Sequence, residues 1–168
     1  MKLKALVLAS MLAISGNALA ETASASLVWS GYIPGTEDGQ RIKITGLNNG
    51  AIGSGTLIVA NDGTFTSNQV VLESRRANAL AGDDGWAVGD LVNATWTLSS
   101  AQVNYGGVPA TDANVVVKNN GTEWAQGQTG QITGTNNVNI TVQQTTPIEA
   151  GVNATVQAQV TILAQISA

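Results

Sequence analysis

An all-β fold is predicted for this chain of 168 residues, and three observations carry the prediction. Apolar and polar residues alternate with period two over several short stretches, the mark of half-buried strands. Turn residues such as Asn61-Asp62-Gly63 and Asn119-Asn120-Gly121 close those stretches. The chain is also rich in Gly, Thr, Asn and Val, all of which disfavour helix. Several short strands spaced by turns point to a β-sandwich.

The chain opens on two cations, Lys2 and Lys4, then an apolar run from Ala5 to Ile14, then the small-residue site Ala18-Leu19-Ala20. These three parts describe a secretory signal peptide over residues 1–20, and its apolar run is too short to anchor in a bilayer. Beyond it, Leu27 and Trp29 alternate with Val28 and Ser30, and Ile42 and Ile44 with Arg41 and Lys43. Thr56–Ala60 is an apolar run that Asn61-Asp62-Gly63 turns into a partner strand over Thr64–Glu73. Ser74–Gly89 reads as a long excursion between strands, with a helical turn or two around Arg75-Arg76-Ala77-Asn78-Ala79-Leu80-Ala81. Val92, Ala94, Trp96 and Leu98 alternate with polar neighbours, Val115 and Val117 follow, and Ile132 and Val138–Val142 form a pair of short strands.

The last segment is the longest. Val152, Ala154, Val156, Ala158, Val160, Ile162, Ala164 and Ile166 occupy every second position, and Leu163 alone breaks the polar set between them. Strands usually run to about five or six residues, and this alternation has no charge and no Pro to protect an open edge. Such a segment must be covered by the chain's own sheet, by a chaperone or by another subunit. The N-terminal Glu21–Gly31 offers a cover: small Ala23 and Ala25, then Leu27 and Trp29, on one face of an extended pattern.

Charge and residue inventory exclude most chemistry. The chain has no Cys and no His, so it has no thiol nucleophile, no His base, no disulfide and no zinc site of the usual ligands. Loss of Lys2 and Lys4 with the signal leaves five cations against 11 carboxylates, a net charge of −6 that argues against nucleic acid. Gly50-Ala51-Ile52-Gly53-Ser54-Gly55 lacks the Lys of a phosphate loop, and Ser54 has no base to activate it. Asp83-Asp84 with Asp90 do not have the spacing of a calcium loop, and Glu37-Asp38 are adjacent, so on a strand they would point to opposite faces. No enzyme activity, cofactor or metal is expected. Of the four tryptophans, Trp96 reads as core, while Trp86 and Trp124 are candidates either to stack on a sugar ring or to cap the end of a sandwich.

The signal peptide, the alternating N-terminal segment with Trp29-Ser30-Gly31, and the final strand opening on Ala150-Gly151-x-x-Ala154 resemble a Gram-negative chaperone–usher fimbrial subunit of the cysteine-free type. The chain departs from many members in having no Cys and in carrying Ser167, rather than Tyr, next to its C-terminus. The resemblance implies an incomplete immunoglobulin-like β-sandwich over residues 32–168, completed by a donor strand from a neighbouring subunit. It implies that 21–31 is the donor extension, with Ala23, Ala25, Leu27 and Trp29 facing a groove, and that Val152–Ile166 is the groove-edge strand met by the chaperone. The implied function is structural: a fimbrial building block supporting cell adhesion, exported through the periplasm to the cell surface. Its implied partners are identical or related pilin subunits, a periplasmic chaperone, an outer-membrane usher, and a host glycan or protein receptor. The alternative reading is a monomeric exported carbohydrate-binding module with a complete β-sandwich.

Overall fold

The structure, a computed structural model, describes residues 25–31, 41–79, 86–148 and 154–166. The expected signal peptide, Ala23, Glu37-Asp38, Asp83-Asp84, Ala150-Gly151 and Val152 lie outside the described residues. Within them the chain is all-β. Its strands are β1 (Ala25–Gly31), β2 (Arg41–Thr45), β3 (Gly55–Val59), β4 (Phe65–Ser67), β5 (Val70–Ala79), β6 (Trp86–Leu91) and β7 (Ala94–Tyr105). They continue with β8 (Val108–Pro109), β9 (Val115–Asn119), β10 (Thr122–Glu123), β11 (Ile132–Thr135), β12 (Asn137–Gln144) and β13 (Val156–Gln165). Helix is confined, among the described residues, to single 3-10 turns at Leu47–Asn49 and Gln128–Gly130.

Two largely antiparallel sheets form. One has the order β2–β5–β12–β9–β10, with β6 also on β5, and the other the order β3–β1–β13–β7–β11, with β8 on β7. The β3–β4 hairpin joins them, because β4 pairs with the far end of β12 as well as with β3. Alternation buries one face of each: Val138, Ile140 and Val142 from β12 and Trp96, Leu98, Val160 and Ile162 from β7 and β13 belong to one hydrophobic cluster. The short strands expected around Gly134 do not pair with each other. β11 joins β7, and after Asn136 the chain enters the other sheet as β12.

Local chemistry sets the turns. Asn119 pairs with Thr122, so the β9–β10 loop is Asn120-Gly121, with φ of 51° and 81°. Two successive positive φ values give the primed turn whose twist matches the strands it joins, and Asn-Gly is the pair that tolerates them. At the Asn61-Asp62-Gly63 turn, Asp62 Oδ1 accepts from the Thr64 N–H and hydroxyl at 3.0 and 2.7 Å, and Gly63 takes φ 80°. This is the hairpin the sequence predicts, but its second strand ends at Ser67. Asn68 turns aside, its Oδ1 accepting from the Thr56 N–H at 2.7 Å, and β5 starts afresh at Val70.

The expected helical excursion after Glu73 is instead a β-hairpin. Arg75–Ala79 continue β5, paired on one edge with β2 and on the other with β6. Arg and Ala favour helix only by tenths of a kcal/mol per residue, about what tertiary pairing routinely overrides. Ser74 sits where β5 passes from β12 to β6, fully buried, and every polar group is engaged there. Its N–H donates to Asn136 O, its carbonyl accepts from Val92 N–H, and its hydroxyl donates to Val92 O at 2.6 Å.

β7 is longer than its sequence pattern suggests because a bulge changes its phase. Thr161 of β13 pairs with Ser100 and Ile162 with Leu98, leaving Ser99 as an extra residue. One inserted residue moves the inward set from Ala94, Trp96 and Leu98 to Val103 and Tyr105. The Tyr105 hydroxyl then reaches the β3–β4 turn and donates to Gly63 O at 2.5 Å. Burial, reinforced by the nearby Asp62 carboxylate and partly offset by the Gln144 amide, holds the Tyr105 phenol above its ordinary pKa. Tyr105→Phe is expected to leave the Gly63 carbonyl short of its donor and to lower stability by about 1–2 kcal/mol, read from the denaturant midpoint.

Candidate functional site, a strand slot beside the C-terminal strand

β13 is the most regular element of the molecule. Val156, Ala158, Val160, Ile162 and Ala164 are all buried, while Gln157, Gln159 and Gln165 are exposed. Thr161 and Leu163 are half-buried on the outer face, so Leu163 departs from the polar set without breaking the alternation. The strand is shorter than expected from sequence: Ala154 and Ile166 flank it, half-buried, and Val152 is outside the described residues. One edge of β13 pairs antiparallel with β7 along its whole length, from Val156↔Tyr105 to Gln165↔Thr95.

The other edge of β13 is met by β1, the segment singled out as a donor strand. β1 runs parallel to β13, with Ala25 opposite Val156, Trp29 opposite Val160 and Gly31 opposite Ile162. On its other side it runs antiparallel to β3, with Ala25 opposite Leu57 and Leu27 opposite Gly55. Ala25, Leu27 and Trp29 are therefore brought, in backbone register, to the place between β3 and β13. Among the named strand pairs of the described residues, β1–β13 is the parallel one.

Two features make this a slot rather than an ordinary strand position. β13, the neighbour of β1, is more than a hundred residues away in sequence, so pairing them carries a large loop-closure cost. The two walls, β3 and β13, contain no charged residue and no Pro. Without β1 they would be two open edges with nothing to deter pairing. The true edges of the sheets are treated differently: β2 carries Arg41 and Lys43, β10 has two residues and β11 four. The chemistry such a slot supports is strand addition, in which main-chain N–H and C=O groups supply the bonds and alternating side chains the fit.

The remaining candidates are placed as follows. Trp124 is 5% exposed, and its indole N–H donates to Gly130 O at 2.6 Å, fastening the second 3-10 turn. Of the two readings open for Trp124, this burial fits capping the sandwich rather than stacking on a sugar, since a ring packed in the core has no free face. The backbone of Trp86 lies in β6 opposite Ala79. Trp96 is core as predicted, with no exposure and its indole N–H donated to Thr135 O at 3.0 Å. A surface cleft of about 770 Å³ opens beyond the end of β13, lined by Arg76, Asn93, Thr95, Thr133 and Gln165 among others and, among the described residues, by no carboxylate.

Glu73 is the buried carboxylate that sequence reasoning missed; nothing in a β-strand pattern marks a charged residue as inward. It accepts from Arg75 at 2.7 Å and from the Asn48 and Asn49 N–H groups at 3.0 and 3.3 Å. The positive φ of Asn48 and Asn49, 55° and 62°, aims both N–H groups at it. Burial alone would raise the Glu73 pKa, but these donors outweigh it and hold the carboxyl below its ordinary range. A depressed folded-state pKa contributes stability above the unfolded pKa and loses it as pH falls through the folded value. Stability should therefore drop on acidification below about pH 4, the carboxylate range. Glu73→Gln should flatten that slope and cost about 1–3 kcal/mol at neutral pH, both read from denaturant midpoints.

Comparison with protein-family models, curated proteins and solved structures gives no match for this chain.

Proposed function

We propose that this chain is a structural subunit of a surface fimbria, an immunoglobulin-like sandwich whose last strand place is filled by strand donation from a neighbouring subunit. The observation that carries the reading is the slot between β3 and β13: an alternating, charge-free place in the sheet, held by a segment from the N-terminal end. A strand of another copy fits the same place running antiparallel to β13, because an alternating segment keeps its period when reversed and either direction satisfies the ladder. In the free subunit residues 25–31 occupy their own slot; in the fibre they occupy the slot of the next subunit. The partners are then related subunits, a periplasmic chaperone that guards the slot before assembly, and an outer-membrane usher, with the cell surface as destination.

The seating of β1 in its own chain also favours the second reading, a complete monomeric sandwich that binds carbohydrate, since no partner is then required. Electrophoresis separates the two. Concentrated chain from residue 21 onward, incubated for days, is expected to give a ladder of multimers that survives mild detergent and collapses on boiling. A chain that stays monomeric throughout, with tryptophan fluorescence quenched by a glycan, would establish the second reading instead.

A further inference from the structure

We propose that the outer face of the β3–β1–β13–β7–β11 sheet docks against the same face of a second copy of this chain. The inference starts from where the charges lie. Every charged residue within a strand, namely Arg41, Lys43, Glu73, Arg75, Arg76, Asp90, Lys118 and Glu123, belongs to β2, β5, β6, β9 or β10. The strands β3, β1, β13, β7 and β11 contain none. One sheet carries all the strand charge of the described residues, and the other carries none.

The chemistry of the neutral face suits a copy of itself. Gln157, Gln165, Gln102 and Thr56 are exposed on it, and β13 and β7 set Gln157 opposite Asn104, Gln159 opposite Gln102 and Thr161 opposite Ser100. Amides and hydroxyls both donate and accept, so such a face is complementary to itself, as a two-fold interface requires. A face of one charge sign is not. Ile58 of β3, 72% exposed, adds an apolar margin. An acidic or basic partner finds no counter-charge within these strands, and the aromatic residues of β7, Trp96 and Tyr105, turn inward.

Charge favours this face, and its area suffices for a small interface. From residue 21 onward the chain carries five cations against 11 carboxylates, so copies repel, and the neutral sheet is where they approach without setting acids against acids. Five strands at a spacing of about 4.8 Å, four to twelve residues long at about 3.3 Å each, present roughly 600 Å², the lower end of the ~600–1,000 Å² per partner of a standard interface. The docking does not depend on strand donation and is independent of the fimbrial reading.

The test is sedimentation of the purified chain from residue 21 onward across a concentration series. The unmodified chain is expected to associate reversibly, dissociating on dilution and in mild detergent. The pair Q102E and Q157E, nearly isosteric, places like charges face to face and should weaken association at least tenfold, while N114D, on an exposed loop before β9, should leave it unchanged. Thermal unfolding of each variant reports that it remains folded. A strictly monomeric unmodified chain, an unaffected double variant, or equal weakening by N114D would each overturn the proposal. So would chemical-shift changes confined to this face when a neutral oligosaccharide is added to a monomeric chain.

Discussion

Deleting residues 21–31 is expected to leave a chain that does not stay soluble and folded by itself, and that recovers when the missing strand is supplied in trans. β1 pairs at five positions with β13 and three with β3. At about 1 kcal/mol net per hydrogen bond, losing that ladder costs roughly 5 kcal/mol before any side-chain burial is counted. That is comparable with the whole stability of a domain, about 5–15 kcal/mol. The deletion also opens β3 and β13 together, two neutral edges with no charge or Pro to keep other chains away. Refolding in excess synthetic Thr22–Gly31 peptide should restore a soluble species with a sharp unfolding transition. The same peptide with Val28→Pro should not, because proline lacks the N–H that a strand lined on both sides must donate. A deleted chain that unfolds at the same midpoint as the intact one, with no response to peptide, would remove the slot as a functional element.

The second large effect is expected at Trp96. This side chain has no solvent exposure, sits beside Leu98 in the buried set of β7, and donates its indole N–H to Thr135 O of β11 at 3.0 Å. It thus fills the core and ties β11, a four-residue edge strand, to its only strand partner among the described residues. Trp96→Ala removes both functions and should cost about 3–5 kcal/mol, enough to unfold a marginal domain at physiological temperature. Trp96→Phe keeps most of the volume and loses the hydrogen bond, so about 1–3 kcal/mol is expected. Denaturant unfolding of both variants separates packing from bonding. Equal, small losses in the two would mean that the site collapses around the cavity.

Much of the architecture is legible in the chain because its physics is local. Alternation depends only on the period of side chains along a strand, so β2, β12 and the core of β13 stand out. Asn120-Gly121 stands out because few residue pairs tolerate two positive φ values, and Asp62-Gly63 because a side-chain acceptor beside a glycine marks a turn. The misreadings have a common cause, which is pairing between distant residues. Arg75–Ala79 look helical until β2 and β6 flank them. β7 looks short because Ser99 shifts its phase, and only the register against β13 shows the extra residue. Glu73 shows only as the end of an expected strand until Asn48, Asn49 and Arg75 converge on it.

For the strand slot the division is clear. Two neutral, unprotected, alternating segments near opposite ends of the chain, each in need of a neighbour, are legible in the residues alone. That the two are neighbours of each other, with 25–31 parallel to β13 and antiparallel to β3, emerges only from the fold. The physical reason is that a strand's side-chain period is written in its own residues, whereas its hydrogen-bond partners are not. A ladder is specified by two segments at once, and its direction and register come from the fold that brings them together.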